Sequence, residues 1–464
     1  MTNQANETPN VPASGKRPGA WRSLRGNVMA MGWVSLLTDF SSEMMNPLLP
    51  IFVAGMVGGV EAALWVGLIE GIAETTASVL KLFSGRISDR LGKRKALVLW
   101  GYGLSSLVRP MMALAAGIGH VVVLKFFDRV GKGIRTAPRD ALIGDSVVAQ
   151  HRGLAFSVHR AMDHTGAVLG PAVAIGVFSV LNHYSERIWG HEVDLWSHHV
   201  APGAMGEVSP AVMDAMRWLF ALAVVPGLAA MVALVWRVRE IAPVARDGDK
   251  PGGEKSSLPR KFYLFLVAVT LFALGNSSDM FILLLGYQYF GLGLLQIMVL
   301  WIALHVSKIV FSVPGGMLSD RWGRRPMILL GWGVYALVYL GLALTRTDAL
   351  WSFWGLVLLY GAYYGFSEGA EKALVADFVP SRQRGTAFGL YHALVGVATL
   401  PASLLFGVFW VWAAGRFGVD TGRTIAFGVG AGLAGAAMLV MAGLLASDAG
   451  TRRRDDAEKV VGGR

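Results

Sequence analysis

Ionisable side chains stand inside apolar runs of this chain, at spacings that would let them act together. Asp39 and Glu43 are four residues apart in one run, and Glu70 and Glu74 repeat the spacing in the next. Residues four apart share a helix face, and two carboxylates held close raise the pKa of one of them. A carboxyl group poised near neutrality can take up and release a proton. Asp279 closes SSD (277–279), which matches SSE (41–43), so Glu43 and Asp279 form the leading pair for proton exchange. Glu74, Glu70 and Asp39 come next. The competing reading is static neutralisation of Arg109, Lys125, Arg129 or Lys132, since structural networks also perturb pKa.

The cations suggest a second chemistry. Arg109, Arg129, Lys132, Arg135 and Arg160 would supply a field matched to an anionic solute. Asp163, Lys308 and Glu368 join Arg109, Arg129 and Lys132 as candidate substrate contacts, although Lys372, four residues after Glu368, favours a local pair. His159 and His164 flank Arg160 and Asp163. Histidine can relay protons near neutral pH, yet a His beside an Asp is more often a satisfied structural pair. Arg139-Asp140 is inverted as Glu371-Lys372 in a matching segment. One reading is a latch in which Arg139 meets Glu371 and Asp140 meets Lys372; the other is solvated charge near helix ends.

The elements that must position these groups are membrane helices. The 464 residues are 54% hydrophobic and 16% charged, against about 25% charged in a soluble domain, and mean hydropathy is +0.50. Crossing about 30 Å of hydrocarbon takes roughly 20 helical residues. Runs of that kind predict helices at 27–57, 60–84, 96–117, 120–143, 153–181 and 212–237, then at 262–290, 293–315, 326–345, 350–377, 386–414 and 423–446. The expected fold is all-α, with twelve transmembrane helices in two pseudo-symmetric six-helix bundles. At the bilayer centre an ionisable side chain costs about 2.5–3.5 kcal/mol on insertion scales, so the buried charges above mark function.

Lys and Arg gather in alternate connections, including 86–95, 237–261 and 321–325, and short cytoplasmic loops collect such residues. Both termini are therefore expected in the cytoplasm, in a multi-pass protein of the inner membrane. The division read from these patterns is an N-terminal tail (1–26), a first bundle (27–239), a linker rich in charge, Gly and Pro (240–261), a second bundle (262–446) and a C-terminal tail (447–464). The formal net charge of +11 sits at helix ends, where anionic lipid attracts it, and not on one surface interleaved with stacking aromatics, so no nucleic-acid partner is expected. With no cysteine, thiol catalysis, disulfides and Cys-based metal sites are excluded. His183, His191, His198 and His199 cluster near Glu192 and Asp194 without HxxxH spacing, which reads as surface clustering and not a metal site. No Walker loop or HExxH occurs, so neither an enzyme nor a cofactor is expected.

The chain is written twice. GRISDRLGKRK (85–95) returns as GMLSDRWGRRP (316–326), 231 residues on and half the length away, and Asp145-x6-Arg152-Gly153-x-Ala155-Phe156 returns as Asp377-x6-Arg384-Gly385-x-Ala387-Phe388. On these motifs the chain resembles the major facilitator superfamily over nearly its full length, whose two repeats enclose a path near the bilayer midplane. The resemblance implies a cytoplasmic gate formed by Gly85, Asp89, Arg90, Gly92 and Arg94, and by Asp320, Arg321, Gly323 and Arg325, to which the Arg139 and Glu371 latch would add. It matches Arg129 to the family's arginine in the fourth helix, with Lys132 where drug antiporters often have Gln. It matches Gly166-x3-Gly170-Pro171 to part of the antiporter motif, the rest of which is poorly matched. RVGKGIRTAPRDAL (129–142) looks like a poorly characterised prokaryotic branch. The resemblance thus implies a monomeric secondary transporter working by alternating access, exporting a small polar or amphiphilic organic solute in exchange for protons; the alternative is a proton symporter importing an organic anion.

Overall fold

The computed structural model describes residues 21–461 apart from 22–23, 25, 58, 192–207, 209, 242–257, 289, 291, 293 and 347. Most of the expected terminal tail and linker, together with Glu192, Asp194, His198 and His199, lies outside the described residues, as does the side chain of Glu70.

The first crossing is broken: α1 (Asn27–Glu43) and α2 (Leu49–Val57) are joined by a 3-10 turn at Asn46–Leu48. Pro47 lacks the N–H that an uninterrupted helix would use. Next come α3 (Gly59–Leu91), α4 (Arg94–Met111), α5 (Ile118–Asp145), α6 (Arg152–His183) and the short α7 (Ser185–Trp189). The sixth crossing is α8 (Pro210–Leu222) followed by α9 (Val224–Arg237). The seventh is broken like the first, as α10 (Arg260–Gly275) and α11 (Met280–Gln288). The chain closes with α12 (Leu294–Trp322), α13 (Arg324–Leu344), α14 (Leu350–Phe378), α15 (Arg384–Phe417) and α16 (Val419–Val461). The crossings follow the twelve-helix, two-bundle plan. α16 overruns the boundary expected at 446, because TRRRDDAEK (451–459) is made mostly of good helix formers.

The two DR segments are helical extensions, not loops. α3 runs to Leu91 and α12 to Trp322, each stopped by a glycine with positive φ, Gly92 at 63° and Gly323 at 100°. A side chain there would be strained, whereas glycine reverses the chain within two residues. The bundles meet where α3 lies on α15 and α12 lies on α6, with α14 also against α6. At these crossings Gly85 abuts the Gly385 carbonyl, and Gly316 abuts Ser157 and the Gly153 carbonyl. Small residues let membrane helices approach backbone to backbone.

The bundles differ inside. The second holds an aromatic core, with Phe272 stacked on Trp332 at 4.5 Å and Tyr335 on Tyr339 at 4.1 Å. Its tyrosines clasp the break between α10 and α11: Tyr335 donates to the Gly275 carbonyl at 2.7 Å, Ser277 and Tyr339 share a hydrogen bond at 2.9 Å, and Asn276 donates to Tyr363 at 3.0 Å. Polar partners of this kind satisfy the backbone and side-chain groups that a broken membrane helix exposes.

Candidate functional site

Three layers of charge run inward from the end of the molecule that carries the DR segments, here the tethered end. In the outermost layer each aspartate of a DR segment caps a helix of the opposite bundle. Asp89 accepts from the Gly385 and Thr386 amides at 3.0 and 2.6 Å, and Asp320 accepts from the Gly153 and Leu154 amides at 2.9 and 2.8 Å. A carboxylate is favourable at the positive end of the helix dipole. The repeat-related Asp and Arg pairs then exchange partners: Arg152 reaches Asp377 at 2.5 Å, and Arg384 pairs with Asp145. Each arginine also donates to the Gly144 and Ala376 carbonyls, at 3.2–3.3 Å. Fully buried Arg94 joins Asp89 to Asp145 and donates to the Ser381 carbonyl at 2.6 Å.

The second repeat departs from the expected assignment. Arg324, not Arg325, joins Asp320 to Asp377 and donates to the Ala149 carbonyl at 2.6 Å. Arg325 lies 5.8 Å from the Phe378 ring. Arg90 and Arg321 are exposed and make no ion pair among the described residues; each follows its aspartate by one residue, about 100° around the helix. Arg152, Arg384, Asp145, Asp377 and Arg324 were not among the expected site residues. The repeated Asp-x6-Arg spacing marks four of them, but only as a sign of duplication.

The second layer lies about 8 Å further in, one and a half helical turns from the end of α5. Buried Asp140 accepts from Arg139 at 2.9 Å and from His392 at 2.7 Å, and meets Lys372 across the bundles at 3.3 Å. One half of the expected latch is therefore present. The other half is absent: Arg139 turns to Asp140, Ser35 and Tyr102 of its own bundle, while Glu371 accepts from Trp332 at 3.0 Å and Tyr391 at 2.8 Å. The aromatic core captures Glu371 before it can cross. The local Glu368 and Lys372 pair is not formed either, since Glu368 crosses to Arg160 at 2.6 Å. Arg160 also holds Asp163 at 2.9 Å, His164 lies 3.7 Å from Glu368, and His159 shares a hydrogen bond with Ser35 at 3.0 Å. His392, the one described histidine on Asp140, carried no sequence signal because its partner is 252 positions away.

In the third layer Asp279 is the most heavily engaged acid. Lys308 pairs with it at 3.0 Å, Tyr360 and Tyr364 donate to it at 2.9 Å, and the Lys308 ammonium lies 3.7 Å from the Tyr364 ring centre. Glu43, its repeat counterpart, accepts from Asn46 at 3.0 Å, and Asn46 in turn takes Lys125 at 3.0 Å. Both acids thus sit beside a helix break, but in unlike surroundings. Arg109 serves the first bundle internally, with Asp128 at 2.9 Å and the Thr38 carbonyl at 2.7 Å. Glu74 meets Lys81 at 3.6 Å and faces Gly396 of the other bundle. Arg129 is half-buried and engaged.

Two half-buried charges remain uncommitted. Among the described residues, Asp39 of α1 and Lys132 of α5 make no hydrogen bond or ion pair through their side chains. The charges acting on Lys132 are Arg129, Glu74, Lys81 and Asp39, and those acting on Asp39 are Asp163, Glu43, Arg135 and Arg109. Gly166 and Gly170 press α6 onto this acidic face of α1, against the Leu36 carbonyl and Asp39 and against Glu43 respectively.

The profile of the Major Facilitator Superfamily matches residues 31–403. The chain is 31% identical over 394 residues to an uncharacterised MFS-type transporter of Methanocaldococcus jannaschii, covering 84% of this chain and 89% of that one. It is 24% identical over 393 residues to a gentisate transporter of Corynebacterium glutamicum, covering 81% and 79% of the two chains. Among solved structures, the human organic anion transporter MFSD10 superposes with a TM-score of 0.67 at 15% identity, over 92% of this chain and 100% of that one.

Proposed function

The chain belongs to the major facilitator superfamily, and from that premise we propose that it is a proton symporter importing an organic anion. It is a multi-pass membrane transporter and not an enzyme. The observation that carries the reading is the uncommitted couple, Asp39 and Lys132. A half-buried cation outside any ion pair is favourably placed to take an anionic solute, and a half-buried carboxylate outside any ion pair to take a proton. Loading both from the same side is symport. A relative that bears the name of a gentisate transporter, gentisate being an aromatic carboxylate, supports an anion. The antiport reading leaned on Gly166-x3-Gly170-Pro171, and the contacts of those glycines with α1 supply a packing reason for them.

With the tethered end placed in the cytoplasm, as the Lys and Arg distribution argues, the crossed Arg152–Asp377 and Arg384–Asp145 pairs, with Asp89, Asp320, Arg94 and Arg324, form the inner gate. They hold it shut while the solute path is reached from outside. Protonation of Asp39 and neutralisation of Lys132 remove the field that opposes closure around the solute. The bundles then rock, and the gate pairs part.

The test is uptake into proteoliposomes with an imposed pH gradient, acid outside, using labelled gentisate among a panel of carboxylates. A carboxylate should accumulate inward with the proton. Asp39→Asn should abolish gradient-driven accumulation yet retain solute exchange, and Lys132→Gln should lower both by about tenfold, the scale of one lost charge-assisted contact. Solute driven outward by the same gradient would reject symport.

A further inference from the structure

A groove of about 1320 Å³ runs along the outside of the first bundle between α1 and α9, opening at the tethered end. It exceeds the usual volume of a pocket for a drug-sized molecule, about 300–1,000 Å³. Met29, Ala30, Leu37, Ala229 and Ala233 make its walls apolar, and two exposed indoles, Trp33 and Trp236, flank them. The mouth is polar and carries Arg237 and Arg239.

Both guanidinium groups are exposed, and neither makes an ion pair among the described residues. The backbone beneath them is fixed instead. Asn27 clasps Arg239 from both sides, donating to its carbonyl at 2.8 Å and accepting from its amide at 2.7 Å. Glu240, the acid at the mouth, is turned onto the Arg94 and Lys95 amides at 3.0 and 2.8 Å. Glu240 is therefore spent on α4, and among the described residues the mouth is left cationic. An apolar trough with aromatic flanks and two exposed arginines that make no ion pair among the described residues is complementary to an amphiphile with an anionic head.

We propose that this groove binds an anionic phospholipid, its phosphate on Arg237 and Arg239 and an acyl chain along the trough past Trp33 and Leu37. Arginine forks match phosphate geometry, tryptophan prefers the membrane interface, and basic pockets between membrane helices hold acidic headgroups. The chain's own first 20 residues are a poor occupant, since their charged cluster is Lys16 and Arg17. The bound lipid would also reach the gate, because Glu240 beside the mouth caps the helix that begins with Arg94.

The test is native mass spectrometry of the purified full chain with added phosphatidylglycerol, phosphatidylcholine, or sn-glycerol 3-phosphate alone. Phosphatidylglycerol should be retained on the order of tenfold better than phosphatidylcholine, as expected for two interfacial cations. The preference should vanish in Arg237→Gln with Arg239→Gln and persist in Arg237→Lys with Arg239→Lys, which controls for folding. Equal retention of the two lipids, a preference that survives the glutamine pair, or equally tight binding of glycerol phosphate would each overturn the assignment.

Discussion

Asp140 is where two bundles, two cations and a histidine converge, and its surroundings decide what substitution does. Removing one partner of a buried ion pair leaves an uncompensated charge and costs about 3–5 kcal/mol. Asp140→Asn should therefore lower the melting temperature in detergent well below that of the parent, and adding Lys372→Gln should recover much of the loss. Reversing Arg139 and Glu371 together should rescue nothing, because those side chains point into different bundles. A rescue by that reversal, with none from Asp140→Asn plus Lys372→Gln, would refute the pairing. At this scale the sequence exposed which charges are buried, since an Asp inside an apolar run is visible on inspection. It hid the partners. Lys372 could be matched to Asp140 only through the duplication, and the rotation of α14 that sends Glu371 into Trp332 and Tyr391 leaves no trace in spacing.

Helices are joined here by close backbone contact, and glycines set how close. A valine at Gly316 would drive its methyl groups into Ser157 and the Gly153 carbonyl, so α12 could not lie against α6 and the tethered end would be held apart. Since the chain has no cysteine, Ser381→Cys, buried beside Arg94, serves as a reporter. Its modification by a membrane-impermeant maleimide should be several-fold faster in the Gly316→Val background; unchanged labelling would mean that this crossing does not govern access. The existence and order of the crossings were legible from hydropathy alone. The breaks at Asn46–Leu48 and between α10 and α11 were not, because Asn, Ser and Asp within an apolar window barely lower its average. SSE and SSD, found as a repeat, adjoin those breaks.

For the whole molecule, the offset of about 231 residues shows that one half copies the other, yet similarity places Asp145 over Asp377 and cannot reveal that each serves the arginine of the opposite copy. Exchange of partners is a property of the assembled pair. A lock across the bundles tests the required motion: Ser78 of α3 lies against Gly396 of α15. In the natural cysteine-free background, Ser78→Cys with Gly396→Cys should form a disulfide on mild oxidation. Uptake should then stop and return on reduction, while either single variant stays insensitive to oxidant. Transport through the cross-linked form would be incompatible with rocking bundles.

Asp89 and Asp320 grip main-chain N–H groups at 385–386 and 153–154. At 154 and 386 the main-chain half of the handshake asks only for a residue other than proline, whereas a Cβ at Gly153 or Gly385 would fall within 3 Å of the gripping carboxylate. The clasp therefore tolerates drift at the second residue of each pair but not at the glycine before it, so alignment variability at 154 and 386 would be a misleading guide to mechanical importance.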